Sequence, residues 1–240
     1  METELVRPNS CHHYSEIHEV PWDIQNYWRQ RHTLFSKYDD NIWLTDDAWF
    51  GVTAEPVANM IADHLSKYSP PTHNVLIDAF AGAGGNVIAF ACSGRWDRII
   101  AIEKDHDVMQ CAKQNATVYG VFDQIEWIEG DCFGAIKTIP EETCKQSVIF
   151  ASPPWGGPGY RSDAVFDLSK MEPYPLNMLH ESFFHVSNEL VLYLPRTSDL
   201  RQLAALAPAD SRIRVVHYCM WRASKAMCVY FGALGADLNS

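Results

Sequence analysis

The sequence predicts an α/β fold: a mostly parallel sheet with helices on both faces, an antiparallel hairpin at its C-terminal edge and a small helical lobe ahead of it. Three observations predict this. From Val75 onward, short apolar runs of strand length alternate with amphipathic stretches of helix length. The first run leads straight into a glycine-rich turn, and the last two runs are separated by only a short turn-like stretch. Strand, helix, strand repeated in this way folds as parallel units, whereas two strands joined by a short turn pair antiparallel. With 240 residues, 47% of them hydrophobic, the chain has material for one fairly large core, which excludes disorder as its dominant state.

Residues 1–22 are polar, rich in His and Glu, and are expected to form a flexible tail. Residues 23–71 are expected to form the helical lobe. There Tyr27, Trp28, Arg31, Leu34, Phe35 and Tyr38 recur at spacings of three and four, which puts an aromatic stripe on one helical face. For any single aromatic of that stripe, core packing is as good an account as ligand contact. A second helix starts with Thr53 as N-cap and Pro56 in its first turn. It runs through Val57, Ile61 and Leu65 to about Tyr68, before Pro70-Pro71.

Residues 72–235 are expected to hold the sheet. Its strands read Val75 to Ala79, Ile99 to Glu103, Ile125 to Ile128, Val148 to Ala151, Leu190 to Leu194, Arg212 to Cys219 and Ala226 to Phe231. A helix over Asn86 to Cys92 follows the first strand, and one over Asp105 to Tyr119, ended by Gly120, follows the second. The stretch Trp221 to Lys225 supplies the hairpin turn, and the Gly- and Pro-rich stretch Gly156 to Pro175 a lid loop.

Charge and cysteines narrow the function. Nineteen Lys and Arg against thirty Asp and Glu leave a net charge of −11, a field that repels a polyanion and disfavours non-specific duplex binding. Seven scattered cysteines with no C-x-x-C pair read as reduced thiols of a cytosolic or nuclear protein. Cys11-His12-His13 has ligand residue types but no second cluster at ligand spacing, so no metal is expected. No apolar run reaches the length of a membrane span and Met1-Glu2-Thr3-Glu4 lacks a basic, then apolar leader pattern, so the expectation is a soluble, non-secreted protein.

The turn Asp78-Ala79-Phe80-Ala81-Gly82-Ala83-Gly84-Gly85-Asn86 lets the backbone bend and approach a ligand at a helix N-terminus. A dinucleotide fingerprint would carry a third glycine where Val87 stands, which disfavours NAD. Glu103 closes the second strand 21 residues beyond Gly82, where a carboxylate can accept both hydroxyls of a ribose. Asp131, after the third strand, is placed to accept from the exocyclic amine of adenine. Asp78, Gly82, Gly84, Glu103 and Asp131 together describe a pocket for a nucleoside with a polar tail in place of a pyrophosphate.

This arrangement resembles the Rossmann-like S-adenosylmethionine-dependent methyltransferases over roughly Val75 to Phe231. The resemblance implies a seven-stranded sheet with the final hairpin at its edge. It also implies S-adenosyl-L-methionine as cofactor, bound by Thr53, Asp78, Phe80, Gly82, Gly84, Glu103 and Asp131.

After the fourth strand comes Ser152-Pro153-Pro154-Trp155. The prolines keep the local carbonyls out of ladders and helices, and Trp155 offers a π face beside them. Fixed acceptors for both hydrogens of a planar amine favour the pyramidal nitrogen that attacks a methyl group. This string resembles the motif of amino-group methyltransferases.

A longer set of matches is more specific. Ser152-Pro-Pro-Trp-Gly-Gly-Pro158 with Tyr160, Tyr27-Trp28 with Arg31 and Leu34-Phe35-Ser36, Trp49-Phe50 with Val52-Thr53 and Glu55, Asn115-Ala116 with Tyr119-Gly120, and Leu194-Pro195-Arg196 resemble the trimethylguanosine synthase family. The resemblance implies dimethylation of the exocyclic N2 of 7-methylguanosine caps on small nuclear and nucleolar RNAs, in the nucleus and nucleolus. The partner implied is capped RNA, read mainly at its cap, with no membrane or metal.

By that resemblance Ser152, Pro153 and Trp155 are catalytic, and Trp155, Asn115, Ser152 and Arg196 bind the substrate, Asn115 at the base edge and Arg196 at the cap phosphates. Taken alone, Asn115 serves equally well to solvate its helix end and Arg196 as a surface charge. The cationic ring of 7-methylguanine adds a cation–π contribution to a base–aromatic stack of about 1–3 kcal/mol. The helical lobe would help close the cofactor and cap pocket. One departure is Asn26, where the family pattern suggests a lysine for the phosphates, with Arg29, Arg31 and Lys37 as substitutes; Ala54 replaces a proline that Pro56 compensates. Two rival readings remain at this stage: methylation of another exocyclic amine in RNA, or a catalytically inactive cap-binding module.

Overall fold

The computed structural model describes residues 5–157, 164–207, 212–220 and 223–236. Strand β1 (Cys11–His12) pairs antiparallel with β2 (Leu44–Thr45) in a small ribbon. Between them lie the short helices α1 (Gln25–Trp28) and α2 (Arg31–Leu34), and after them α3 (Ala48–Gly51) and α4 (Glu55–Tyr68).

This corrects two expectations for the lobe. Residues 10–20 are not a free tail: Ser10 Oγ donates to the Asp107 carboxylate, and Cys11 and Val20 are buried. The aromatic stripe does not ride on one helix, because Gln30 leaves helical geometry between α1 and α2. The break lets Trp28 Nε1, at 2.9 Å, and the Tyr38 hydroxyl, at 3.1 Å, both donate to the Tyr14 carbonyl, so tertiary hydrogen bonds override the local period. Trp28, Phe35, Tyr38, Trp43 and Trp49 all end in the core. Helix α4 has Pro56 in its first turn as expected, but its N-cap is Ala54, since Thr53 Oγ1 accepts from Asn86 Nδ2 at 3.0 Å instead.

The main sheet contains β3 (Val75–Asp78), β4 (Arg98–Glu103), β5 (Ile125–Glu129), β6 (Ser147–Ala151), β7 (Leu190–Leu194), β8 (Arg214–Met220) and β9 (Ala223–Tyr230). Its order is β5-β4-β3-β6-β7-β9-β8; the first five are parallel, and β9 runs antiparallel to both neighbours. The crossovers carry α5 (Gly85–Cys92), α6 (His106–Tyr119), α7 (Cys132–Ala135), α8 (Glu141–Lys145), α9 (Leu176–Phe184) and α10 (Leu200–Ala204). The seven-stranded, helix-covered sheet and its antiparallel C-terminal pair are as the sequence led us to expect.

Strands buried on both faces explain the unbroken apolar runs. Leu76, Ile99, Val148, Phe150 and Val191 point to one core, shared with α4, α5, α6 and the lobe. Ile77, Ile100, Ile149, Leu190 and Leu192 point to a second core, shared with α7, α9 and α10. The strand order reverses between β3 and β6, which opens a crevice at their C-terminal ends, the place where open parallel sheets bind ligands.

Candidate active site

Four strand ends meet at that crevice. Asp78 closes β3 and is fully buried; its Oδ1 accepts from the Phe80 N–H at 3.2 Å, while Oδ2 has no partner among the described residues. Burial without a charge partner pushes its carboxyl up to about 7; the Phe80 bond opposes this and the nearby Glu103 adds to it. Gly82 (φ 54°) and Gly84 (φ 96°) lie in the left-handed region, so the turn needs residues without a Cβ there. A Cβ built on Gly82 would meet nothing within 4 Å, so open space lies over the turn.

Glu103 fastens this turn. Its carboxylate accepts the Gly82 N–H at 3.0 Å on one oxygen and the Asp105 N–H at 3.0 Å on the other. Asp131, at the end of β5, caps α7 through Oδ1, which accepts from the Phe133 and Gly134 N–H groups, and its Oδ2 accepts from the Tyr174 hydroxyl at 3.2 Å. Each carboxylate keeps lone pairs beyond these bonds. Phe80 is half-buried and packs edge-on to Phe183, 6.2 Å between centroids.

The Ser152-Pro153-Pro154-Trp155 segment leaves the end of β6 directly beside the turn. Ser152 Oγ donates to the Phe80 carbonyl at 3.3 Å, which joins the two halves of the crevice and leaves the hydroxyl lone pairs available to a donor. Pro153 is buried. Trp155 is half-buried, stacks on Tyr193 of β7 at 5.7 Å and 28°, and donates Nε1–H to the Tyr193 carbonyl at 3.3 Å. The remainder of the motif, Pro158 and Tyr160, lies outside the described residues, as do residues 158–163 of the expected lid and 221–222 of the hairpin turn. The described end of that lid is packed, not open: Phe166 donates to the Thr197 carbonyl at 2.7 Å and accepts from the Asp199 N–H at 3.0 Å, and Leu168 and Met171 are buried.

The two other expected substrate residues lie in contrasting surroundings. Asn115 is fully buried in α6, and its amide is spent: Nδ2 donates to the carbonyls of Trp43 and Ala83, both at 2.9 Å, and Oδ1 accepts the Trp43 N–H at 2.8 Å. It has no donor left for a base edge. Arg196 is exposed past the C-terminal end of β7, as Trp155 lies past that of its parallel neighbour β6, and it donates to the Ser224 carbonyl at 3.1 Å. Thr53, expected at the cofactor, accepts from Asn86 Nδ2 at 3.0 Å through Oγ1, and its carbonyl would lie 3.0 Å from a Cβ on Gly85, beside the turn.

The substitutes considered for Asn26 are engaged locally. Arg29 donates to Asn26 Oδ1 at 3.0 Å, Arg31 lies over the Trp28 ring at 3.9 Å, and Lys37 donates to the Val118 carbonyl at 3.3 Å. Sequence reading missed the aromatic wall of Phe133, Tyr174 and Phe183. Phe133 stacks on Phe183 at 5.4 Å and 12°, and meets Tyr174 edge-on at 5.1 Å. Phe133, two residues past Asp131, carried a weak positional signal; Tyr174 and Phe183 arrive from a distant stretch and carried none.

The crevice fits S-adenosylmethionine. An orphaned buried carboxylate oxygen, an open turn with left-handed glycines, strand-end carboxylates and an apolar aromatic wall suit a cationic tail, a ribose and an adenine. Among the described residues no group of three or more His, Cys, Asp or Glu could hold a metal ion, and no helix is long and apolar enough to cross a membrane.

Comparison with known proteins agrees with the geometry. The pattern of the family described as RNA cap guanine-N2 methyltransferase matches residues 73–234. The trimethylguanosine synthase of Schizosaccharomyces pombe is 34% identical over 218 residues, which cover 90% of this chain and 89% of that protein. The trimethylguanosine synthase of Saccharomyces cerevisiae is 35% identical over 180 residues, 74% of this chain but only 56% of that longer relative. Among solved structures, a methyltransferase of Porphyromonas gingivalis W83 superposes with a TM-score of 0.65 at 12% identity, over 91% of this chain and 52% of that one. An S-adenosylmethionine-dependent methyltransferase of Agrobacterium tumefaciens gives 0.54 at 13% identity, over 76% and 63%. These two likenesses show the fold. With the family pattern across two-thirds of its length and a relative matched nearly end to end, the chain belongs to the RNA cap guanine-N2 methyltransferases, S-adenosylmethionine-dependent enzymes.

Proposed function

We propose that this enzyme transfers two methyl groups in turn to the exocyclic N2 of a 7-methylguanosine cap, giving 2,2,7-trimethylguanosine. The observation that carries the proposal is the Ser152 to Phe80 hydrogen bond, which sets the amine-binding segment against the glycine turn. The shared family and the named activity of the two yeast relatives support it.

In this reading Asp78, Phe80, Gly82, Gly84, Glu103 and Asp131 hold S-adenosylmethionine, with Glu103 on the ribose and Asp131 on the adenine amine. When bound, it supplies a methyl carbon on a sulfonium, which leaves as a neutral sulfide. Trp155, braced from behind by Tyr193, stacks the cationic 7-methylguanine. The Ser152 hydroxyl oxygen, or the carbonyls of Ser152 and Pro153, accept the hydrogens of N2 and aim its lone pair. Positioning is the catalytic device, and the amine proton passes to solvent after nitrogen has bonded to the methyl carbon. Arg196 meets the cap phosphates at the rim. Capped small nuclear and nucleolar RNAs, met in the nucleus, are the proposed substrates.

Mass spectrometry of m7GpppG and GpppG after incubation with enzyme and S-adenosylmethionine tests this. Two methyl additions to the first and none to the second are expected. Addition to an uncapped RNA and to neither cap would move the substrate to another exocyclic amine.

A further inference from the structure

We infer that Asn115 is a positioning residue through which the N-terminal lobe sets the cofactor turn, and that it does not touch the cap. The inference rests on the reading of the glycine turn as the S-adenosylmethionine site. Three features carry it.

The first is the full use of the amide's donors in a site closed to solvent. A primary amide has two N–H donors and a carbonyl oxygen with two lone pairs. At Asn115 the donors go to the Trp43 and Ala83 carbonyls and the oxygen to the Trp43 N–H, with the residue wholly excluded from solvent. An acceptor on a base edge could be served only by breaking one of the two donor bonds and leaving a buried carbonyl unpaired, and the remaining lone pair of Oδ1 is closed off from any ligand because the residue is wholly buried.

The second is what the amide connects. Ala83 lies between Gly82 and Gly84, the two left-handed residues of the turn. Its neighbour Gly82 donates its N–H to Glu103, so the turn is gripped from two sides: by a carboxylate at the end of β4 and by an amide from the middle of α6. Trp43 belongs to the lobe, and Asn115 pairs with both of its backbone groups, as a neighbouring strand would.

The third is that the lobe has its own independent hold on α6. Cys11 Sγ donates to the Asp107 carbonyl at 3.2 Å, Cys111 Sγ lies 3.2 Å from Cys11 Sγ, and Gln114 Nε2 donates to the Asn41 carbonyl at 3.2 Å. The ribbon of β1 and β2 therefore stays seated on α6 when the amide is altered, and the loss falls on the turn. A lobe fixed in this way transmits its position to Ala83 through one side chain.

The test uses the full chain and two variants, Asn115→Asp, which cannot donate to either carbonyl, and Asn115→Ser, which keeps one donor. Calorimetric titration with S-adenosylhomocysteine, titration with m7GpppG at saturating S-adenosylhomocysteine, and backbone hydrogen exchange are read together. Expected for Asn115→Asp is an S-adenosylhomocysteine Kd raised about ten-fold, the size of one lost buried hydrogen bond. Cap affinity at saturation should stay within about two-fold, and exchange should quicken in residues 79–85. Asn115→Ser should fall between Asp and the parent. A selective loss of cap affinity would restore Asn115 to the cap and overturn the inference. So would a lowered melting temperature with unchanged S-adenosylhomocysteine binding in both variants, which would make the role purely structural. Failure of the parent chain to bind S-adenosylhomocysteine would instead bring down the cofactor reading, and the inference with it.

Discussion

Asp78 carries the sharpest electrostatic consequence. Its carboxyl rises from an ordinary 3.8 to about 7 because the charged form is buried with one oxygen unpartnered. The folded state therefore binds a proton there that the unfolded chain has already lost, so this group's stabilising contribution is complete below about 3.8 and disappears as pH rises through about 7. Asp78→Asn should remove that slope, worth on the order of a few kcal/mol. Melting curves of the ligand-free protein between pH 4 and 8 should be flatter in the variant than in the parent, and an unchanged slope would show that Asp78 titrates normally. At Trp155, replacement by alanine should cut kcat/KM on a cap analogue about ten- to a hundredfold, the worth of a base–aromatic stack. S-adenosylhomocysteine affinity should hold within about two-fold, and equal loss of both would point to collapse of the Tyr193 side of the crevice. Residue types were legible where chemistry restricts them: acids at strand ends, glycines in a turn, proline beside tryptophan. Asn115 was not, because an asparagine on a helix gives no sign of whether its amide faces a ligand or a neighbouring backbone.

At the scale of elements, α5 begins at a left-handed Gly84, and a Cβ there would sit 3.1 Å from Ile88 Cδ1 and 3.4 Å from the Ala112 backbone. Gly84→Ala should cost about 1–2 kcal/mol from backbone strain alone. It should also weaken S-adenosylhomocysteine binding, as the Ile88 side chain and the turn shift together; a thermal melt beside a titration separates the two effects. The strands and the long helices α4 and α6 were readable because their signals are local: unbroken apolar runs, Pro56 in a first turn, Gly120 at φ 74° ending α6. The lobe was not, since α1 and α2 have four residues each and are held by bonds to Tyr14 and by packing. Helices that short have no stability of their own from which a period could be read.

For the whole molecule, a net charge of −11 limits how RNA is met. An enzyme that reads mainly the cap gains little from a long anionic strand, which the general field repels. kcat/KM on a full-length capped RNA should accordingly not exceed that on m7GpppG at low salt, and should approach it as salt screens the repulsion. A much higher value on the long RNA would reveal a basic track beyond the cap pocket. The mostly parallel sheet and its antiparallel C-terminal pair followed from the strand and helix rhythm, whereas the strand order did not, because it depends on which side of the first strand each crossover passes. Which flanking segments close over the crevice did not, because those contacts join residues far apart in the chain.

That separation has a consequence for synthesis. Cys11 meets Cys111 across 100 residues, and Trp43 meets Asn115 across 72. A ribosome adding ~5–20 residues per second exposes the lobe's Phe35 and Trp43 roughly 4 to 17 s before Tyr119 and Asn115 of α6 emerge to meet them. During that wait Tyr38 can already pack on Trp49 and Trp28 bond to Tyr14, but the faces of Phe35 and Trp43 that meet α6 have no partner. The protein's yield in a cell should depend on chaperones that shelter such surfaces more than the stability of the finished fold would suggest.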